Sequence, residues 1–442
     1  MKKVLKPIIT IIVAVVLFLG IGILLRYLMF DDVDSYSRLM FHDLYNQDKN
    51  IDILFVGSSH VRRGMNPLIT DEIFGMNTFN ASTAAQRIDG SLAMIKEACR
   101  HNDVKQVYLE LYYGVIDNGD FENRKDLTST YLISDYMPYS VDKISLLLNS
   151  GSQKHYSNGF ILARRNWEQL FDTQYIADLF ERKHARTYLD YEWVDQNNND
   201  YYVTKGYYGN DSVIWDGAVW NPYAYGKIDK IKAVKGESDW HSTLQSIIEF
   251  CKSKDVELIF YIIPEPEWTL VGKGNYQKYS KTIGNLAAEN GIEFYDFNLA
   301  RPEYFDADDS TMFMDMDHLN TEGAGKFSRL FSEFFTGRLK YEDVFYSTYD
   351  EKLMDMEPKV YGLAWPDTVD IENGYDAYII TNREENMEYK IRITSYNTGK
   401  EVYSQDFCEN TVFEIPGNDH GKVEIRWRTA GETDVHVLEA EY

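Results

Sequence analysis

Cysteine is nearly absent from this sequence: Cys99, Cys251 and Cys408 are three residues in 442, and no two of them form a Cys-x-x-Cys pair. That spacing excludes a disulfide framework and a thiolate zinc site. Basic residues are also scarce, 45 against 70 acidic ones, and the formal charge of −25 repels phosphate backbones. Nucleic acid is therefore not an expected partner. Neither a Gly-rich phosphate loop nor a ligand cluster is present, so no cofactor and no metal are expected. Asp195, Asn197 and Asn199 imitate the start of a calcium loop. However, Asp200 stands where that loop needs glycine, and Gly206 where it needs glutamate. What the chain has in quantity is apolar material, 44% hydrophobic and 15% aromatic residues, enough to bury a core against the entropy of the chain.

Lys2, Lys3 and Lys6 precede an uncharged run over 8–25, which is 25 − 8 + 1 = 18 residues, just enough to span a bilayer. Asp31, Asp32 and Asp34 follow it. The positive-inside rule then places the N-terminus in the cytoplasm and the rest outside, as a single-pass protein of the cell membrane. A cleaved signal peptide is the rival reading, against which stands the lack of a small-residue cleavage site after the run. Low cysteine usage outside the membrane suits a Gram-positive surface.

From Asp52 onward short apolar runs at 53–56, 78–81, 106–111, 257–263 and 293–297 alternate with helical stripes such as Ile88, Leu92, Ile95 and Cys99. Strand then helix, repeated, predicts an α/β fold. Its sheet would be a flavodoxin-like, doubly wound parallel one, with the ligand crevice at the carboxyl ends of the strands. An insertion over about 120–235 interrupts it, and the second half is rich in aromatics: Tyr201, Tyr202, Tyr207, Tyr208, Trp215, Trp220, Tyr223 and Tyr225. These could stack on sugar rings or form a small core of their own. From about 355 to 442 the alternation changes to period two, as in Tyr389, Ile391, Ile393 and Val423, Ile425, Trp427, which predicts a small β-sandwich. The expected division is an anchor over 1–30, an α/β domain over 31–345 and the sandwich over 355–442.

Two places carry chemistry. Ser59 follows a buried strand and Gly57, where a tight turn can expose its hydroxyl; a serine there is also an ordinary helix N-cap. Asp315-Met316-Asp317-His318 lies after the last strand, and in an Asp-x-x-His turn the first carboxylate can fold back onto Nδ1, leaving Nε2 free for a serine proton. That makes Asp315 the orienting carboxylate and turns Asp317 elsewhere.

Phe55-Val56-Gly57-Ser58-Ser59-His60, then Asn80-Ala81-Ser82, then Asp315-x-x-His318-Leu319-Asn320 resembles the SGNH (GDSL-type) hydrolase superfamily. More narrowly, it resembles the bacterial cell-envelope branch that includes the D-alanine-transfer protein of teichoic acid modification and the alginate O-acetylation proteins. The resemblance covers about 52–335 without the insertion. It implies Ser59 as nucleophile, His318 as base and Asp315 as orienter of a serine esterase or O-acyltransferase. The expected partners are an envelope polysaccharide or an acyl donor, the membrane through the N-terminal helix, and a membrane-bound acyltransferase. Two departures stand out: the second block offers Ser82 where the family has glycine, and the third block's asparagine is missing after Tyr108-Leu109-Glu110-Leu111. Ser82, Asn80, Gln86 and Tyr112 are the candidate oxyanion donors, and His60 and Arg62 the candidate substrate contacts. A non-catalytic, glycan-binding or assembly protein on the same fold is the alternative.

Overall fold

The computed structural model describes residues 2–116, 127–149, 153–194, 196, 199–214, 240–365, 372–383 and 385–442. Asp195, Asn197, Trp215, Trp220, Tyr223 and Tyr225 lie outside the described residues.

Five parallel strands form the central sheet: β1 Ile53–Val56, β2 Thr78–Asn80, β3 Gln106–Glu110, β6 Glu257–Ile262 and β7 Glu293–Asp296. Between β3 and β6 runs a two-stranded hairpin, β4 Asp200–Thr204 and β5 Tyr207–Asn210. The sheet order is β2-β1-β3-β6-β7. The crossover from β1 to β2 and the return crossover from β2 past β1 to β3 run in opposite directions and put helices on opposite faces, which is why β1 is buried throughout and reads as an unbroken apolar run. On one face Phe331 of helix Thr321–Phe335 sets its ring against Phe55, Tyr108 and Tyr261. Helices Ile88–His101 and Trp240–Ser253 pack against each other as a second layer. The strand order reverses beside β1, so a crevice opens at the carboxyl ends of β1 and β3.

The N-terminal helix Lys2–Met29 is long and apolar enough to cross a membrane, and its length and composition also fit a signal sequence. The residues around its end are gripped by the insertion. Lys183 donates to the Tyr27 and Phe30 carbonyls, Asn166 to that of Met29 at 2.9 Å, and Arg182 pairs with Asp31 and Asp34 at 2.8 Å each. Carbonyls left open at a helix C-terminus thus find side-chain donors.

Beyond the α/β part come β8 Val360–Ala364, β9 Tyr375–Thr381, β10 Met387–Ser395, β11 Glu401–Cys408, β12 Val412–Ile415, β13 Gly421–Thr429 and β14 His436–Glu441. They make antiparallel sheets of order β11-β10-β13-β14 and β12-β9-β8. Leu363, Ile379 and Phe413 from one sheet and Tyr389, Ile391 and Ile425 from the other share one core. The turn at Asn397 to Lys400 joins β10 to β11, with Gly399 at φ +65°. Tyr361 and Ile380 face the other way, into the α/β core.

Candidate active site

β1 delivers the chain to Gly57 with no room to spare. A Cβ there would stand 2.3 Å from Val61 Cγ2 and 2.8 Å from Glu110 Cβ, so only glycine makes the turn. Helix Ser59–Gly64 begins at once, and its N-cap is Ser58, whose hydroxyl accepts the His60 N–H at 3.4 Å. Capping is thus done by Ser58, and the Ser59 hydroxyl is left for other chemistry.

That hydroxyl donates to His318 Nε2 at 2.7 Å. On the other side of the ring, Nδ1–H donates to Asp315, 2.9 Å from Oδ1 and 3.0 Å from Oδ2. The histidine loop is closed by a bridge between Phe313 and Leu319 and by the Met314 N–H on the His318 carbonyl at 3.0 Å. Within it Asp315 Oδ1 accepts the N–H groups of Asp317 and His318 at 2.8 Å each. Burial raises the pKa of Asp315, but the His318 hydrogen bond, the His318 charge and the two N–H donors outweigh it and carry the carboxyl down to about 2. Asp317 turns away to Lys273, 2.8 Å distant, and Lys273 itself lies 3.7 Å from Glu265. Thr269 donates to the Met316 carbonyl and fixes the loop from the same helix, Glu267–Lys273. The His318 side chain is 20% exposed and that of Asp315 43%, so the relay opens to solvent.

Of the proposed oxyanion donors, Asn80 and Gln86 have other partners. Asn80 Nδ2 donates to the Val61 and Met65 carbonyls at 2.6 and 2.9 Å, tying the serine helix to β2. Gln86 accepts from Thr83 and donates to the Ala81 carbonyl and Ser91 hydroxyl, locking its own loop. The Ser82 hydroxyl reaches back to the Phe55 carbonyl at 3.5 Å. Tyr112 stacks on His60, ring centroids 3.9 Å apart, and the His60 ring meets that of His318 edge-on at 5.0 Å. His60 therefore stands behind the relay, and burial pushes its ring down to about 3. Arg62 lies between the rings of Tyr36 and Tyr208.

Sequence reasoning missed Glu110, Glu265 and Lys273. Glu110 is fully buried behind Gly57; burial lifts its carboxyl to about 8 against the opposing donors of Ser58, at 3.4 Å (N–H) and 3.3 Å (O–H). His60 Nδ1 is 3.6 Å from its Oε1, and burial holds both groups neutral. An acid at the carboxyl end of an otherwise apolar buried strand was the available signal.

The insertion aromatics that are described pack onto the α/β part. Tyr207 and Tyr208 are buried, Tyr202 donates to Asp43 at 2.6 Å, and the Tyr201 hydroxyl meets that of Thr321 at 2.8 Å. A cavity of about 530 Å³ lies away from Ser59, between the segment around Tyr276 and the end of β9. Among the described residues no His/Cys/Asp/Glu grouping is arranged to hold a metal ion.

No family model and no curated protein matches this chain. Among solved structures, that of a Bacteroides fragilis protein described as a "putative acylhydrolase" is similar at 12% identity and a TM-score of 0.30, over 70% of this chain and 99% of that one.

Proposed function

We propose that this chain is an SGNH-type serine esterase or O-acyltransferase. In this reading it is held by its N-terminal helix at the outer face of the cell membrane and acts on an acylated envelope glycan or teichoic-acid-like polymer. The observation that carries the reading is the relay from Ser59 Oγ through His318 to Asp315, with all three contacts at hydrogen-bond distance. A serine, a base and an oriented carboxylate in that geometry are what acyl transfer needs.

In the proposed reaction Ser59 Oγ attacks the acyl carbonyl carbon while its proton passes to His318 Nε2. Asp315 stabilises the imidazolium so formed. The tetrahedral oxyanion takes the main-chain N–H groups of Ser59 and Ser82, the residues after the two strand ends that meet at the crevice. Collapse expels the alcohol, which leaves with the His318 proton, and the acyl group stays on Ser59. Water gives hydrolysis and a sugar hydroxyl gives transfer; His318 takes the proton of either one, and Ser59 is regenerated. The fold division into anchor, α/β domain and sandwich belongs to the same proposal.

A binding protein that kept the fold is favoured by one observation: β3 ends in buried Glu110, and among the described residues no side-chain amide follows it there to serve the oxyanion. Loss of one such donor costs about 10²- to 10³-fold in rate, which weakens catalysis without abolishing it. A fluorophosphonate probe separates the readings. Stoichiometric labelling of Ser59, located by peptide mass spectrometry and lost in His318→Ala, is the expected result; a folded chain that takes no label would overturn the enzymatic reading.

A further inference from the structure

Arg62 and Arg63 stand side by side on the serine helix and are treated differently. Arg63 is neutralised by Asp200 through two contacts, at 2.8 and 3.3 Å. Arg62 is only 6% exposed, and among the described residues no carboxylate pairs with it. Its Nε is buried without an acceptor. The guanidinium carbon sits 4.4 Å from the ring centre of Tyr36 and 4.6 Å from that of Tyr208. Aromatic faces hold a guanidinium by its plane and leave its N–H edge unused. Asp200 also attracts Arg62, but only at longer range and while already paired with Arg63, so among the described residues this buried cation has no ion-pair partner of its own. A buried charge without a partner is costly, and such a cost persists where a ligand supplies the counter-charge.

Position completes the argument. Arg62 is three residues after Ser59, so the two share a helix face, and helical side chains lean toward the N-terminus, which brings Arg62 back toward the serine. Tyr36 is fixed in turn, because its hydroxyl accepts the Ala84 N–H at 2.7 Å, in the same loop as Ser82. The cage thus joins the serine helix, the β5 hairpin and the loop after β2.

We infer that Arg62 is an anion-recognition residue of the Ser59 crevice, gripping an oxyanion, carboxylate or phosphate, borne on the sugar or polyol whose ester is attacked. This rests on Ser59 as the nucleophile, and it narrows the substrate to acidic glycans or phosphate-bearing polymers.

The test uses the full chain in detergent and three acetyl esters on one scaffold: O-acetyl methyl glucoside, the matching glucuronoside and the matching glucoside phosphate. Wild type should show a kcat/KM for one charged ester about 10- to 100-fold above the neutral one, the range set by hydrogen bonds to charged groups, mostly through KM. Which charged ester wins identifies the source of the anion. Arg62→Met should bring that ratio close to one. Arg62→Lys, which keeps charge and bulk but loses the fork, should retain less than a third of it and covers the case in which Arg62→Met does not fold. A wild-type ratio near one for both charged esters, or a ratio unchanged in either variant, overturns the inference. If no ester is turned over, calorimetric binding of methyl glucuronoside and of glucose phosphate decides. Affinity lost in Arg62→Lys upholds the subsite while the nucleophile reading falls, and absence of binding sinks the subsite as well.

Discussion

Replacing Glu110 by Gln should make the protein more stable, and increasingly so as pH rises. The Glu110 carboxyl has no exposed surface, and burial lifts it from an ordinary 4.5 to about 8. Between those values the unfolded chain has given up a proton that the folded chain keeps. Stability therefore falls with rising pH, at a slope that approaches 1.4 kcal/mol per pH unit. From pH 5 to pH 8 that accumulates to about 4 kcal/mol, an order-of-magnitude figure. Glutamine copies the protonated acid, keeps an acceptor for the Ser58 N–H and O–H, and has no proton to lose. Thermal melting of the full chain in detergent, wild type against Glu110→Gln, should show nearly equal midpoints at pH 5. By pH 8 they should separate by roughly 10 °C, taking about 2–4 °C per kcal/mol for a domain of this size. A gap that stays constant across that range would show that Glu110 is ionised in the folded protein, and the account of a neutral acid behind Gly57 would be wrong.

Ser59→Ala and His318→Ala should each remove ester turnover while leaving the melting midpoint near that of wild type. Asp315→Asn should lower kcat by about 10⁴-fold through misorientation of the ring, while Asp317→Asn, facing Lys273, should cost far less; the reverse order in steady-state assays would reassign the orienting carboxylate. Gly57→Ala should destabilise by about 3 kcal/mol or more, since the new methyl would overlap Val61 and Glu110, and urea unfolding that leaves the midpoint in place would refute the fit described for this turn. Lys183→Ala should loosen the end of the N-terminal helix by about 2 kcal/mol, because the Tyr27 and Phe30 carbonyls lose their donor and Asp32 its partner at 3.2 Å; faster hydrogen exchange around 27–34, without change elsewhere, is the expected readout.

The sequence by itself determined what depends on neighbours along the chain. The unbroken apolar run of β1, the glycine after it and the return of Asp315 onto His318 three residues later are local matters of sterics and reach, so they were legible as written. The apolar N-terminal helix was legible for the same reason. Only the tertiary structure decided matters that turn on residues far apart in sequence. Ser58 takes the cap and leaves Ser59 its histidine because the helix axis points the second hydroxyl at a loop 259 residues away. Asn80 and Gln86 offer amides in sequence, but the carbonyls and hydroxyls that surround them in the fold claim those donors. The insertion aromatics packed against the α/β part, because Asp43 and Thr321 stood ready to satisfy their hydroxyls. Arg62 and Arg63 are the same residue type at adjacent positions, and nothing local separates them. Asp200 pairs with one and two tyrosine rings enclose the other, since a charge is satisfied or left open by what the fold brings within a few ångströms of it.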